Sequence, residues 1–386
     1  MTPGFEPVVA RELATLGIAP RDPEAGGVAF RADAANLFRA NLHLRAASRV
    51  LVRVAAFSAK SFAELERRAK VVPWKAYARP DARITFRVTC RKSRLYHSDA
   101  VAERLAKSVL AQLPGVRIVG VGDDAVAPDE DDSIGGPAGG PADGAPPQLF
   151  VVRFEHDECT ISADSSGELL HRRGYRLATA KAPIRETIAA GVLLALAYDG
   201  TVPLIDPMCG SGTIAIEAAL IARNIAPGMG RSFACETWPG FNIGLARQVR
   251  AAARTAQRPS APAAIIASDR DAGAIAAAES NAERAGVTGD VTIVQRALSA
   301  IEPPPGSGLL VANPPYGARV GDSDALRNLY AQFGNVARAK LPGWRVALVS
   351  ADRSLDAQTK LRFADEVRFS NGGIKVRLVA TPPLSK

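Results

Sequence analysis

Val202-Pro203-Leu204-Ile205-Asp206-Pro207-Met208-Cys209-Gly210-Ser211-Gly212-Thr213 is an apolar run that enters a Gly-Ser-Gly turn and leaves it as a helical pattern, with Ile214, Ala218 and Ile221 on one face. The unit reads as strand, glycine turn, helix N-terminus. Gly210 and Gly212 let the backbone come close to a ligand, and Ser211 or Thr213 is placed to cap the free amides of the helix. The spacing is not the dinucleotide fingerprint, which needs three glycines across six positions, nor a phosphate loop, which needs Gly-Lys followed by Ser or Thr. A nucleoside with a carboxylate tail fits it better than a pyrophosphate. A plain tight turn has the same Gly-x-Gly, so the turn alone does not decide the ligand.

Order along the chain adds the rest. Ala263 to Ser268 reads as a second strand that ends in Asp269, and a helix opens at Asp271 and runs to about Ala285. A carboxylate at the tip of the second strand is where a doubly wound sheet places the acceptor for two ribose hydroxyls. Helix N-capping is the other role open to Asp269. Val291 to Val294 reads as a third strand and Leu309 to Ala312 as a fourth, followed by Asn313-Pro314-Pro315-Tyr316-Gly317. All these groups fall at strand C-termini, on the rim where open α/β folds bind ligands.

The segment after the fourth strand suits chemistry on a planar amine. An exocyclic NH₂ on a base is a poor nucleophile because its lone pair is delocalised into the ring. Two acceptors that hold its hydrogens draw the nitrogen toward tetrahedral geometry and aim the lone pair at an electrophile. Asn313 offers a side-chain oxygen, Pro314 a backbone carbonyl, and Tyr316 a ring on which the base can stack. In that role the ring of Tyr316 matters and its hydroxyl does not. Asn-Pro is also a turn initiator and Pro314-Pro315 a loop stiffener.

Taken together, DPMCGSGT, ASDRDAGAI and ANPPYGAR resemble the class I S-adenosylmethionine-dependent methyltransferases that modify the exocyclic amine of guanine in RNA. More narrowly, they resemble the bacterial large-subunit ribosomal RNA guanine-N(2)-methyltransferase family, with its UPF0020-type catalytic domain behind a THUMP RNA-binding domain. The resemblance runs through residues 165–386 and includes HRRGYR at 171–176 and NIAPG at 224–228. It implies a Rossmann-like α/β domain with a seven-stranded, mostly parallel sheet, preceded by an α+β ferredoxin-like and THUMP module. It further implies S-adenosylmethionine as cofactor and no metal. Asp206, Cys209, Gly210, Ser211 and Gly212 would hold the methionine moiety, Asp269 the ribose, and Asn313, Pro314, Pro315 and Tyr316 the target base. There is one departure. Such enzymes place an acid after the third strand to accept from the adenine amine, and here the chain reads Val294-Gln295-Arg296-Ala297-Leu298. Gln295, a backbone carbonyl and Ser299 are the candidate substitutes.

Charge agrees with an RNA partner, and the resemblance implies a structured one, ribosomal RNA ahead of transfer RNA. Lys and Arg number 48 against 39 Asp and Glu, a net of +9. Residues 121–148 hold seven acidic residues, no Lys or Arg, and a run of Gly, Pro and Ala, so without them the remainder rises from +9 to +16. That composition predicts a disordered loop. Residues 45–107 hold 16 basic and five acidic residues, a local net of +11 that attracts a polyanion with salt-sensitive binding. Within them ITFRVTCRKSRLYHSDAVAERL resembles the heart of a THUMP domain, and Arg91, Lys92 and Arg94 are its candidate RNA contacts. A helix is expected from Ser98 to Leu113, capped by Ser98, with a stripe of Val101, Leu105 and Val109. The domains divide as 1–50 ferredoxin-like, 51–164 THUMP-type and 165–386 methyltransferase.

Cys90, Cys159, Cys209 and Cys235 show no Cys-x-x-Cys pairing and no His at ligand spacing, which disfavours a zinc site and a secreted disulfide framework. A reduced, cytoplasmic setting follows from the cysteines, and with no apolar run of transmembrane length a soluble protein is expected. Carbon methylation through a Cys nucleophile is disfavoured, because Tyr316 follows the Pro-Pro pair. The rival readings are a transfer RNA guanine methyltransferase, an enzyme that methylates adenine in DNA or RNA or a glutamine amide in protein, and a non-catalytic RNA-binding assembly factor.

Overall fold

Two kinds of apolar patterning build two sheets. A computed structural model describes residues 1–120, 146–176, 184–316 and 323–385. The chain opens with α1 (Glu6–Thr15), a hairpin of β1 (Pro20–Glu24) and β2 (Gly27–Phe30), and α2 (Ala34–His43). There follow β3 (Leu51–Ser58), α3 (Phe62–Ala69), β4 (Arg83–Arg91), α4 (Ser98–Gln112), β5 (Arg117–Gly120), β6 (Gln148–Glu155) and β7 (Glu158–Asp164). Their five strands lie in the order β3-β7-β6-β4-β5, with β4 parallel to both neighbours and the other pairs antiparallel. Val101, Leu105 and Val109 of α4 are buried as its stripe requires.

The second half contributes α5 (Glu186–Ala195), β8 (Leu204–Asp206), α6 (Thr213–Ala222), α7 (Ile243–Thr255), β9 (Ile265–Asp269), α8 (Ala272–Ala285), β10 (Val291–Gln295) and β11 (Leu309–Ala312). It ends with α9 (Ser323–Lys340), β12 (Arg345–Ser350), α10 (Arg353–Gln358), β13 (Ala364–Asn371) and β14 (Ile374–Ala380). The seven strands run β10-β9-β8-β11-β12-β14-β13. The first five are mutually parallel, and β14 is antiparallel to both β12 and β13. Every residue of β8 and β11 is buried, as strands covered on both faces by helices demand. This is the Rossmann-like sheet expected of a class I methyltransferase. Because two reversals restore direction, β13 runs parallel to β12, and its C-terminal end joins the rim formed by the parallel strands.

Residues 1–50 pack on this second half. The Phe5 and Phe369 rings stand 4.9 Å apart, and Arg11 donates to the Leu194 carbonyl. Arg45 donates 2.7 Å to the Ile225 carbonyl, while its own backbone N–H donates 2.6 Å to Glu12.

Two sequence expectations need correction. His97, not Ser98, is the N-cap of α4 and makes no side-chain cap bond; Ser98 is the first helical residue. Of the acidic stretch expected to be a loop, residues 121–145 lie outside the described residues, whereas Gln148 already opens β6. Its buried amide donates to the Asp164 carbonyl, and its oxygen accepts 2.6 Å from the Trp238 indole.

Candidate active site

The cofactor side is set by the β8–α6 turn. Gly210 and Gly212 adopt φ 53 and 83, the left-handed region that side chains resist. At Gly212 an added Cβ would also stand 3.0 Å from Ala278 Cβ on α8, so the close helix approach requires glycine twice over. The expected cap by Ser211 or Thr213 is absent. Gly212 itself is the N-cap of α6, with no side-chain bond, which leaves the first amides of the helix free for a ligand's anionic group. The Cys209 N–H donates 3.0 Å to the Ser268 carbonyl, tying the turn to β9, and burial pushes the Cys209 thiol well up, so it stays protonated.

Asp269 is not the N-cap of α8. Asp271 caps α8 by accepting from the Ala274 N–H. Asp269 instead faces the turn, accepting 3.0 Å from the Gly210 N–H and 3.0 Å from the Asp271 N–H. Asp206 is fully buried beneath them and accepts from the Met208 N–H. Burial, with nearby Asp269 adding to it, pushes Asp206 up to about 8. Two acidic side chains, a glycine turn and an uncapped helix end form a candidate cradle for a nucleoside with a cationic, carboxylate-bearing tail.

The base side lies one strand away, on the same rim. Asn313 follows β11, and its side-chain Oδ1 is buried with no hydrogen-bond partner among the described residues. A buried acceptor left unpaired costs about 1–3 kcal/mol, which makes Asn313 Oδ1 a candidate acceptor for a ligand's hydrogen. Pro314 is buried and Pro315 half-buried. The Tyr316 ring packs against the main core, but its hydroxyl is engaged, accepting 2.7 Å from the Asn371 side-chain amide at the end of β13. Sequence reasoning missed this partner.

Behind the rim, HRRGYR forms buried scaffolding and offers no wet basic face except at the exposed Arg172. Arg173 donates to the Leu170 and Arg45 carbonyls and to Glu217 on α6, and the Tyr175 hydroxyl donates 3.0 Å to the same Glu217 oxygen. Asn281 on α8 donates 3.0 Å to the Ser211 carbonyl, and Arg284 beside it donates to Asn281 and to the Tyr175 carbonyl. The glycine turn is thus held from α8, while Glu217 on α6 anchors Arg173 and Tyr175. An acidic residue at i+4 inside the apolar pattern of α6 is the one sequence signal for Glu217. On the adenine side, Gln295 ends β10 level with Asp269 and donates to the Arg270 carbonyl. Arg91, Lys92 and Arg94 are exposed on the other sheet, where Asp157 accepts from the Arg94 N–H. The structure does not bring them to the catalytic rim. Among the described residues no group of three or more His, Cys, Asp or Glu is arranged to hold a metal ion, and no helix is long and apolar enough to cross a membrane.

Comparison with known proteins agrees with this geometry. Residues 173–380 match the model of the RMKL-like methyltransferase domain, UPF0020, and residues 1–51 that of the RlmL ferredoxin-like domain. The chain is 33% identical over 377 residues to the Synechocystis protein named "Putative RNA methyltransferase slr0064", covering 97% of this chain and 94% of that one. It is 32% identical over 400 residues to the ribosomal RNA large subunit methyltransferase K/L of Syntrophotalea carbinolica, covering 97% of this chain but 52% of that protein, so it spans about half of it. The crystal structure of SMU.472 complexed with SAH superposes with a TM-score of 0.85 at 28% identity, covering 100% of this chain and 97% of that one.

Proposed function

The chain belongs to the RMKL-like family of S-adenosylmethionine-dependent methyltransferases, and on that premise we propose that it methylates the exocyclic N2 amine of a guanine in large-subunit ribosomal RNA, in the cytoplasm. The observation that carries the acceptor chemistry is the buried, unpartnered Asn313 Oδ1 on the rim that also bears Asp206 and Asp269. The cofactor's electrophilic methyl on a sulfonium supplies the driving force. Asp269 holds the ribose hydroxyls; the glycine turn from Cys209 to Gly212, with Asp206 below it, holds the methionine tail. Asn313 Oδ1 and the Pro314 carbonyl accept the two amine hydrogens, Pro315 stiffens the loop, and the Tyr316 face stacks on the base. The amine nitrogen forms its bond to the methyl carbon as the sulfur–carbon bond breaks. With the cofactor bound, the bonding pair would leave with sulfur, and the nitrogen would then give up one proton to water.

Delivery belongs to the other sheet. We assign residues 1–50 to a ferredoxin-like region, 51–164 to a THUMP-type RNA-binding module and 165–386 to the catalytic domain. Arg91, Lys92 and Arg94 then contact phosphates of a structured RNA. The test is transfer of a tritiated methyl to protein-free ribosomal RNA, transfer RNA and DNA from cells lacking this protein, with nucleosides resolved by mass. The expected product is N2-methylguanosine in large-subunit RNA. Label confined to transfer RNA, or to adenine in DNA, would overturn the assignment.

A further inference from the structure

The hydroxyl of Tyr316 has no task in a stacking role, yet it has a dedicated partner outside the motif. That partner, Asn371, is 55 residues away in sequence. It is the last residue of β13, pairs with Ile374 across the hairpin, and is followed by Gly372 and Gly373 with φ 55 and 78, a two-residue turn of the type that keeps strand twist. Since β13 runs parallel to β12, this tip stands on the same rim as Asp206, Asp269 and Asn313. Burial raises the Tyr316 phenol, and the bond from Asn371 opposes that, so the hydroxyl stays a neutral acceptor for the amide. A tyrosine held at one end only by packing would retain freedom about χ1 and χ2. With the hydroxyl tied to the hairpin, the plane of the ring is set before a base arrives.

We propose that Asn371 is a positioning residue for the methyl-acceptor base, acting through Tyr316: its amide fixes the ring face on which the base stacks. This rests on the assignment of Tyr316 to the base pocket. A ring displaced by about 1 Å misaims the amine and costs on the order of tenfold to a hundredfold in turnover.

The test measures methyl transfer to protein-free ribosomal RNA, together with S-adenosylmethionine affinity by calorimetry. Asn371→Ala is expected to lower kcat about tenfold or more with cofactor affinity unchanged. Tyr316→Phe removes the same bond without touching the hairpin and should match it, and the double variant should be no worse than either single one. Asn371→Asp should recover most of the loss, because the phenol then donates to the carboxylate. Losses that multiply in the double variant, wild-type turnover of Asn371→Ala, or a fall in cofactor affinity would each overturn the proposal. Asn313→Ala separates the two levels. If it fails to turn over while Asn371→Ala is unimpaired, the positioning role alone is wrong. If Asn313→Ala is itself active, the assignment of the pocket is wrong.

Discussion

Residues 173–176 and 313–316 look similar as text, each a short polar and aromatic segment, and they have opposite fates. The first spends its polar groups inside the protein. Arg173 donates to two carbonyls and a carboxylate, Tyr175 to the same carboxylate, and Arg176 pairs with Glu186 at 3.3 Å. The second keeps Asn313 Oδ1 buried and unspent. Glu217 and Glu186 also leave one oxygen each unpartnered, but in both cases the other oxygen already serves an arginine. The difference teaches where to look for function. A buried polar group that is paired holds the fold together, and one at a ligand-binding rim whose sole acceptor is free among the described residues is a candidate for a substrate contact.

The largest expected effect breaks that comparison on its structural side. Arg173→Ala leaves Glu217 charged and buried, which costs about 3–5 kcal/mol of stability. Denaturant unfolding should show it, while turnover per folded molecule stays close to wild type. Asn313→Ala should do the reverse. It removes an acceptor needed mainly in the transition state, costing on the order of 10² to 10³ in turnover with melting temperature and cofactor affinity near wild type. If Arg173→Ala harmed only catalysis, or Asn313→Ala only stability, the distinction between spent and unspent groups would be wrong.

Much of the site was legible because it sits in contiguous sequence. Leu309 to Ala312 is the strand that was read, and Asp206, Asp269 and Asn313 are at strand C-termini on one rim as expected. What escaped reading depends on contacts between distant segments. Asn371 meets Tyr316 only because two strand reversals return β13 to the rim, and Glu217 meets Arg173 through a tertiary contact that local patterning cannot show. Capping was misjudged for a local reason. Ser211 and Ser98 have cap-forming side chains, but the left-handed Gly212 and the extended His97 take those positions by backbone conformation.

A smaller effect sharpens the cofactor side, where Asp206 is pushed up to about 8. Its folded value lies above the unfolded one, near 3.9. Without cofactor, its stabilising contribution is therefore complete below the unfolded value and is lost as pH rises through about 8. A cationic cofactor favours the ionised carboxylate, so affinity should weaken below pH 8 by at most about tenfold per unit. Calorimetry at several pH values should also find proton release on binding near neutrality. Asp206→Asn should flatten the profile; an unchanged slope would move the titration elsewhere.

The smallest effect concerns residues 121–145, whose seven acidic residues and run of Gly, Pro and Ala lack the apolar content to build a core. Gly120 and Leu149 lie on opposite sides of Thr85 in the five-stranded sheet, one paired from β5 and the other from β6. Two strand spacings separate them, about 10 Å. About six Gly and Ser residues, reaching roughly 20 Å when extended, bridge that gap over β4. Because each halving of a loop's length saves only about 0.6 kcal/mol of closure entropy, replacing 121–145 by such a bridge, about two halvings, should raise stability by only about 1 kcal/mol. Turnover should not change. Binding to ribosomal RNA at low salt should tighten slightly, since seven negative charges are taken from a protein whose remaining net charge is +16. The bridge must start after Gly120 and stop before Gln148, because Gln148 is spent on Asp164 and Trp238. A cut through Gln148 should destabilise the protein where a cut at Ala145 does not. Equal outcomes at the two end points would show that spent polar groups carry less of the fold than the contrast between Arg173 and Asn313 implies.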